Sequence, residues 1–322
     1  MTCVAYSEIN ITFVPVESKR LTMSRFINPF TDWGFKRIFG QEINKDLLIQ
    51  FLNDLLEGER RITDLYFMDK EQLPETKDQR GVVYDIFCET DTKERIIVEV
   101  QYRHQPYFLD RSIYYASRAI VGQGKKAKDW DYQLSAVYTS CFMNFQSSGL
   151  PLKKFRTDVG LMDMQALRPV SDKFRLIYLR LPLFPRKTEA ECENDFERWI
   201  YVLKNMETLE RMPFQAQNAV FEKLAAITDV SALSQKDQER YEESLRIYRD
   251  NYAADQYSFN RGLARGIEKG RAEGIERGRA EGIEKGRTAE RTVIARNLKE
   301  SGVDIQVIIH STGLTKEQID QL

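Results

Sequence analysis

The chain is poor in the residues that build soft or imidazole-rich metal sites. Its two histidines, His104 and His310, lie far apart, and its four cysteines, Cys3, Cys88, Cys141 and Cys192, form no CxxC pair. A zinc site, a histidine cage and a disulfide framework are therefore not expected. Reduced thiols in a cytoplasmic protein are the plain reading. No apolar run approaches the roughly 20 residues that span a bilayer, so no membrane partner is expected. The opening MTCVAYSEINITFVPVESKR lacks a basic region followed by an apolar one, so a signal peptide is not expected there. An excess of one charge is missing too: 48 Lys and Arg against 49 Asp and Glu leave a formal net charge of −1. Any nucleic-acid surface must then be local.

What is present is concentrated in one stretch, RGVVYDIFCETDTKERIIVEVQYR, from Arg80 to Arg103. Residues 82–88 and 95–101 read as two strands joined by the polar loop Thr90-Asp91-Thr92-Lys93. A turn centred on Thr92 places Asp85 opposite Glu99. Two opposed carboxylates on adjacent strands repel each other, and burying them unpaired is costly. A divalent cation removes both problems. Mg²⁺, with Mn²⁺ as a substitute, prefers hard oxygen donors and takes one or two carboxylates plus water; Asp85 and Glu99 could supply them, with the Val100 carbonyl between. Gln101 shares the Glu99 face because strand side chains alternate, and its amide could orient a water or contact a phosphate. Water activated by such a metal could attack a phosphodiester. The bland reading makes Glu99 and Gln101 an exposed strand face and gives Asp85 a hydrogen bond from Tyr102 or Arg80. The apolar surroundings of Asp85, VVYDIFC, argue against it.

Around this hairpin the periodicity predicts further elements. Thr31 or Asp32 caps a helix running to Phe39, and Leu47, Leu48, Phe51, Leu52, Leu55 and Leu56 mark a second helix over 43–56. Residues 62–70 read as a strand, 107–121 as a helix and 132–145 as another strand. Strands over 158–164 and 174–183 follow, separated by a turn near 169–172. Strand signals stop at Pro185, and amphipathic helices are expected over 189–210, 214–227 and 234–248. Residues 261–287 carry glycine at every fourth position within an eight-residue unit, IE(K/R)GRAEG. Each glycine weakens a helix by roughly 1 kcal/mol, so a helix and a charged linker are both open. If it is a helix, the stripe would admit close approach of a second copy, making this tail an arm for homo-oligomerisation. Short helices close the chain, the last with a Thr315–Gln318 capping box. The expected organisation is an N-terminal extension (1–22), an α/β domain (23–185), a helical region (186–260), the repeat (261–290) and a small helical, helix-turn-helix-like module (291–322).

Several blocks together resemble a known family: INPFTDWGFKRIFG (27–40), LLIQFLNDLL (47–56), VVYDIFCET (82–90), RIIVEVQ (95–101), DRSIYYASR (110–118) and the ending GLTKEQIDQL. They look like the Rpn family, the recombination-promoting nucleases or transposases of the PD-(D/E)XK nuclease superfamily. The resemblance implies an α/β fold: a restriction-endonuclease-like αβββαβ core with a mixed sheet, followed by an all-α C-terminal region. It implies a Mg²⁺-dependent DNA endonuclease associated with recombination or mobile elements. Asp85, Glu99 and Gln101 would be catalytic and Asp85 and Glu99 the metal ligands. Gln101 stands where the superfamily usually has lysine, and Tyr84 replaces the proline before the aspartate. Accessory or DNA-contacting candidates are Asp32 and Lys36 on the first helix, Arg111 (with Tyr115 one turn on) and the basic loop residues Lys125 and Lys126. A catalytically inactive DNA-binding or interaction protein that keeps the fold is the alternative reading.

Overall fold

The computed structural model describes residues 24–72, 81–103, 105, 107–124, 131–145, 150 and 153–322. The expected extension (1–22) and the basic loop with Lys125 and Lys126 lie outside these residues. The chain divides into two compact units, residues 24–252 and 253–322.

The first unit opens with α1 (Asp32–Phe39), and Thr31 caps it: its side-chain oxygen accepts from Gly34 N at 3.0 Å. Asp32 is thus the first helical residue rather than the cap. Gly34 is required by space, since a Cβ there would overlap the Asn28 carbonyl oxygen and crowd Thr31 Oγ1. Next comes α2 (Lys45–Leu55), which buries Leu47, Leu48, Phe51, Leu52 and Leu55 on one face, as their spacing predicts. The strand expected over 62–70 is reduced to β1 (Leu65–Phe67), and a further short strand, β2 (Glu71–Gln72), lies beyond it. The strand expected over 82–88 is also broken, into β3 (Val82–Val83) and β4 (Ile86–Thr90). The break falls at Tyr84–Asp85, where the chain leaves β2–β3 pairing and joins the main sheet.

After the turn come β5 (Arg95–Gln101), α3 (Phe108–Val121) and β6 (Val137–Met143). Two further strands, β7 (Arg156–Asp163) and β8 (Arg168–Arg180), form one long hairpin. Residues 169–172, expected in the turn, lie inside β8, and a bulge near Gly160–Met162 absorbs the irregularity there. The six-stranded sheet runs β1-β4-β5-β6-β8-β7, with β5–β6 and β6–β8 parallel and the other pairs antiparallel. It is therefore mixed, and α3 is the crossover between its parallel strands β5 and β6.

Each face of the sheet has its own core. On one side Ile86, Cys88, Ile96, Val98 and Phe142 pack with α1, α2 and the later helices α4 (Asp195–Asn205) and α5 (Ala219–Thr228). Phe51 sits at the centre of this side, with ring centroids 5.4 Å from Phe142 and 6.0 Å from Trp199. The helices after Pro185, expected as a separate region, thus share the core of the sheet. On the other side Phe87, Ile97, Cys141 and Tyr178 pack against Phe108, Ala116 and Ala119 of α3.

The longest element is α6 (Gln235–Glu300), a continuous helix of 66 residues. It joins what the sequence predicts as three pieces and settles the repeat as helix. Its residues through Tyr252 belong to the first unit, where Tyr241 is buried and its hydroxyl accepts from Asn28 N at 2.8 Å. In the second unit the end of α6 packs with α7 (Ile305–Thr312) and α8 (Lys316–Asp320) around Ala295, Ile308 and Ile319. The Thr315–Gln318 capping box is present.

Candidate metal centre

The hairpin register follows from its turn. Ile86 pairs with Val98, Phe87 with Ile97, Cys88 with Ile96 and Glu89 with Arg95. One step further along this register brings Asp85 to Glu99. The two side chains reach across to each other's strand: Asp85 Oδ2 accepts from Val100 N at 2.8 Å, and Glu99 Oε1 accepts from Asp85 N at 3.2 Å. The break in the strand at Asp85 makes this exchange possible, since its backbone N–H bonds a side chain instead of a ladder partner. By strand alternation Asp85, Glu99 and Gln101 fall on the α3 face of the sheet, with Phe87 and Ile97.

Glu99 is only 5% exposed and Gln101 7%. Burial and the charge of Asp85 push the Glu99 carboxyl up to about 8. Burial also raises the Asp85 carboxyl; Asp32 raises it further, while the Val100 N–H, Lys36 and Arg111 pull it down. Among the described residues neither carboxylate has an ion pair, and no three His, Cys, Asp or Glu side chains converge as a metal cage. A buried carboxylate beside a half-buried one, without a paired cation, forms an electrostatic deficit. A hard divalent cation fits it, because such an ion takes one or two protein carboxylates and completes its shell with water and phosphate oxygen.

The accessory candidates divide. Lys36 ion-pairs Asp32 at 2.6 Å on α1, and both act on Asp85 electrostatically. Arg111 lies on α3 with its Nη2 donating to Gln101 Oε1 at 2.8 Å and its Nη1 to Gln105 Oε1. Gln101 in turn donates from Nε2 to the Arg103 carbonyl at 3.1 Å. Tyr115 packs edge-on against Tyr84 at 5.5 Å between ring centroids. Tyr102, read as a possible donor to Asp85, instead accepts from Asn251 Nδ2 of α6 at 2.7 Å.

One basic residue escaped the sequence reading. Lys70 precedes β2, and its carbonyl accepts from Tyr84 N at 3.0 Å, so its backbone runs beside the residue before Asp85. Burial and Lys36 lower the Lys70 pKa, while Asp32 and Asp85 raise it. The signal that could have found it is register: the pairing of 71–72 with 82–83 carries Lys70 to Tyr84.

The mixed six-stranded sheet with helices on both faces is an α/β architecture consistent with that of a PD-(D/E)XK nuclease. The family model of the PD-(D/E)XK nuclease family transposases matches residues 29–258, and the chain belongs to that family. No curated protein and no solved structure matches it.

Proposed function

We propose that this protein is a Mg²⁺-dependent DNA endonuclease that hydrolyses phosphodiester bonds in recombination or mobile-element movement, with Mn²⁺ able to substitute. The observation that carries the reading is the Asp85–Glu99 pair: two neighbouring carboxylates, Glu99 buried and Asp85 half-buried, crossing to each other's strands, with no cation paired to them among the described residues. The inactive DNA-binding alternative has no use for such a pair, which weakens the apoprotein. Asp85 and Glu99 are the residues that hold the cation and orient it, through the Val100 and Asp85 N–H groups that fix their carboxylates. A divalent cation bound there polarises a phosphoryl oxygen and makes water a stronger acid. Lys36 of α1 and Lys70, next to β2, act electrostatically with Asp85 and are the basic residues we assign to attract a DNA backbone.

The protein's place is the cytoplasm: Cys88, Cys141 and Cys192 are free and buried, as suits a reducing compartment. No helix among the described residues is long and apolar enough to cross a membrane. The repeat helix serves self-association. Ile267, Ile275 and Ile283 are exposed along it, and a Cβ at any glycine from Gly262 to Gly286 would meet nothing within 4 Å.

The test is plasmid cleavage with Mg²⁺, Mn²⁺, Ca²⁺ or EDTA. Wild type is expected to cut with Mg²⁺ and Mn²⁺ and not with EDTA, and Asp85→Ala to lose cutting by at least about 100-fold. Equal cutting by the two proteins would remove Asp85 from the site.

A further inference from the structure

We propose that Arg111 supplies the positive charge that position 101 lacks, and that Gln101 is a positioning residue that aims it. This deepens, and rests on, the nuclease reading above. The family's own motif, (D/E)XK, puts a lysine two residues after the acidic ligand, and here that residue is the neutral Gln101.

The Gln101 amide is committed at both ends. Its nitrogen donates to the Arg103 carbonyl at 3.1 Å, which turns its oxygen toward α3, where that oxygen accepts from Arg111 Nη2 at 2.8 Å. The second acceptor for this guanidinium, Gln105 Oε1, is also a neutral amide. The guanidinium carbon lies over the rings of Phe108 and Tyr115, with Arg111 Cζ 5.2 and 5.6 Å from the ring centroids. Two amides and two aromatic rings hold the cation in place without neutralising it, and among the described residues no carboxylate is ion-paired to it. Its field nevertheless reaches both Asp85 and Glu99.

The route of the chain supports the placement. Tyr107 adopts a left-handed φ of 64° immediately before α3, and Arg111 N donates to the Tyr107 carbonyl at 2.9 Å. This tight entry sets Arg111 in the first turn of the helix, over the end of β5. A guanidinium has five N–H donors, and the two amides use two of them. The remaining donors suit a phosphate oxygen, for which a fixed, planar, permanently charged fork is the best protein ligand. The ligand class is therefore the phosphodiester of a nucleic acid, bound next to the carboxylate pair.

The experiment uses the full chain and four variants: Arg111→Gln, Arg111→Lys, Gln101→Met and the Gln101→Met/Arg111→Gln double. The first readout is binding of a short labelled DNA duplex in EDTA, as a function of salt. Arg111→Gln should lower the log–log salt slope by about one phosphate contact, and Arg111→Lys should retain it. The second readout is cleavage with Mg²⁺. Each single loss is expected to slow cutting by roughly 10- to 100-fold, on the scale of removing one preorganised donor. The double should be no slower than Arg111→Gln alone, because Gln101 acts through Arg111. An unchanged slope and rate in Arg111→Gln overturns the assignment. A double variant slowed by the product of the two single effects overturns the positioning role, since Gln101 would then act by itself. If no variant and no wild type cleaves with any metal, the nuclease reading fails, while the salt slope still decides whether Arg111 meets a phosphate.

Discussion

Glu99 holds its proton to about pH 8 because it is buried beside Asp85, whereas a free glutamate releases it near pH 4.3. The sign follows from this difference. The folded state binds the extra proton between those two values, so this group's contribution to stability is fully present below about pH 4.3 and is lost as pH rises toward 8. A cation on the pair offsets that loss and displaces the proton, so its affinity should fall as pH falls. Glu99→Gln should therefore melt higher than wild type in EDTA at pH 8.5, by on the order of 1 kcal/mol or roughly 2–4 °C. The gain should vanish near pH 4, and the variant should show no further rise with Mn²⁺. Thermal unfolding at the two pH values, with and without the ion, checks all three. Gly34 offers a second residue-scale test. A methyl there would strike the Asn28 carbonyl, so Gly34→Ala should cost about 1–3 kcal/mol, as overpacking does, measured by urea unfolding.

At the scale of elements, the outcomes separate local from long-range physics. The α1 and α2 helices, the crossover helix α3 and the hairpin register were legible because each depends on spacing within some fifteen residues or on one turn. The pairing of Asp85 with Glu99 belongs to this class, and so does the Thr315 capping box. The split at Tyr84–Asp85 was not legible: it arises because 82–83 pairs with 71–72 while 86–90 joins β1 and β5, a competition between partners distant in sequence. Lys70 was missed for the same reason. The partners of Gln101 were hidden too, since nothing in a strand pattern says that a residue ten positions on, across a left-handed turn, will bond its amide. The repeat is a different case. Its glycines argue against a helix by roughly 1 kcal/mol each, yet α6 runs through all of them. The i,i+4 arrangement of opposite charges, as in Lys269–Glu273 at 3.7 Å, supplies part of the compensation. Replacing Gly270, Gly274 and Gly278 by alanine should raise helicity by circular dichroism. If the glycine stripe seats a second copy, the same change should also shift sedimentation toward smaller species.

For the whole molecule, the nuclease core is larger than the boundary at Pro185 suggested. Trp199, Phe221 and Tyr241 share one core with α1, α2 and the sheet, and the Trp199 indole N–H donates to Asp54 on α2 at 3.1 Å. Strand signals stop at Pro185, but the apolar surface of the sheet's first face still needs covering, and the later helices cover it. A chain truncated at 185 is therefore expected to be insoluble or molten, whereas one ending at Tyr252 should retain a cooperative transition in urea. The Asp85–Glu99 carboxylate pair is the feature on which the functional reading stands. Calorimetric titration of the full-length protein with Mn²⁺ at pH 8 tests it most directly. Wild type is expected to show a saturable high-affinity site with proton release, and both Asp85→Ala and Glu99→Gln to lose that site. Undiminished binding in either variant, or no binding in wild type, would contradict that reading.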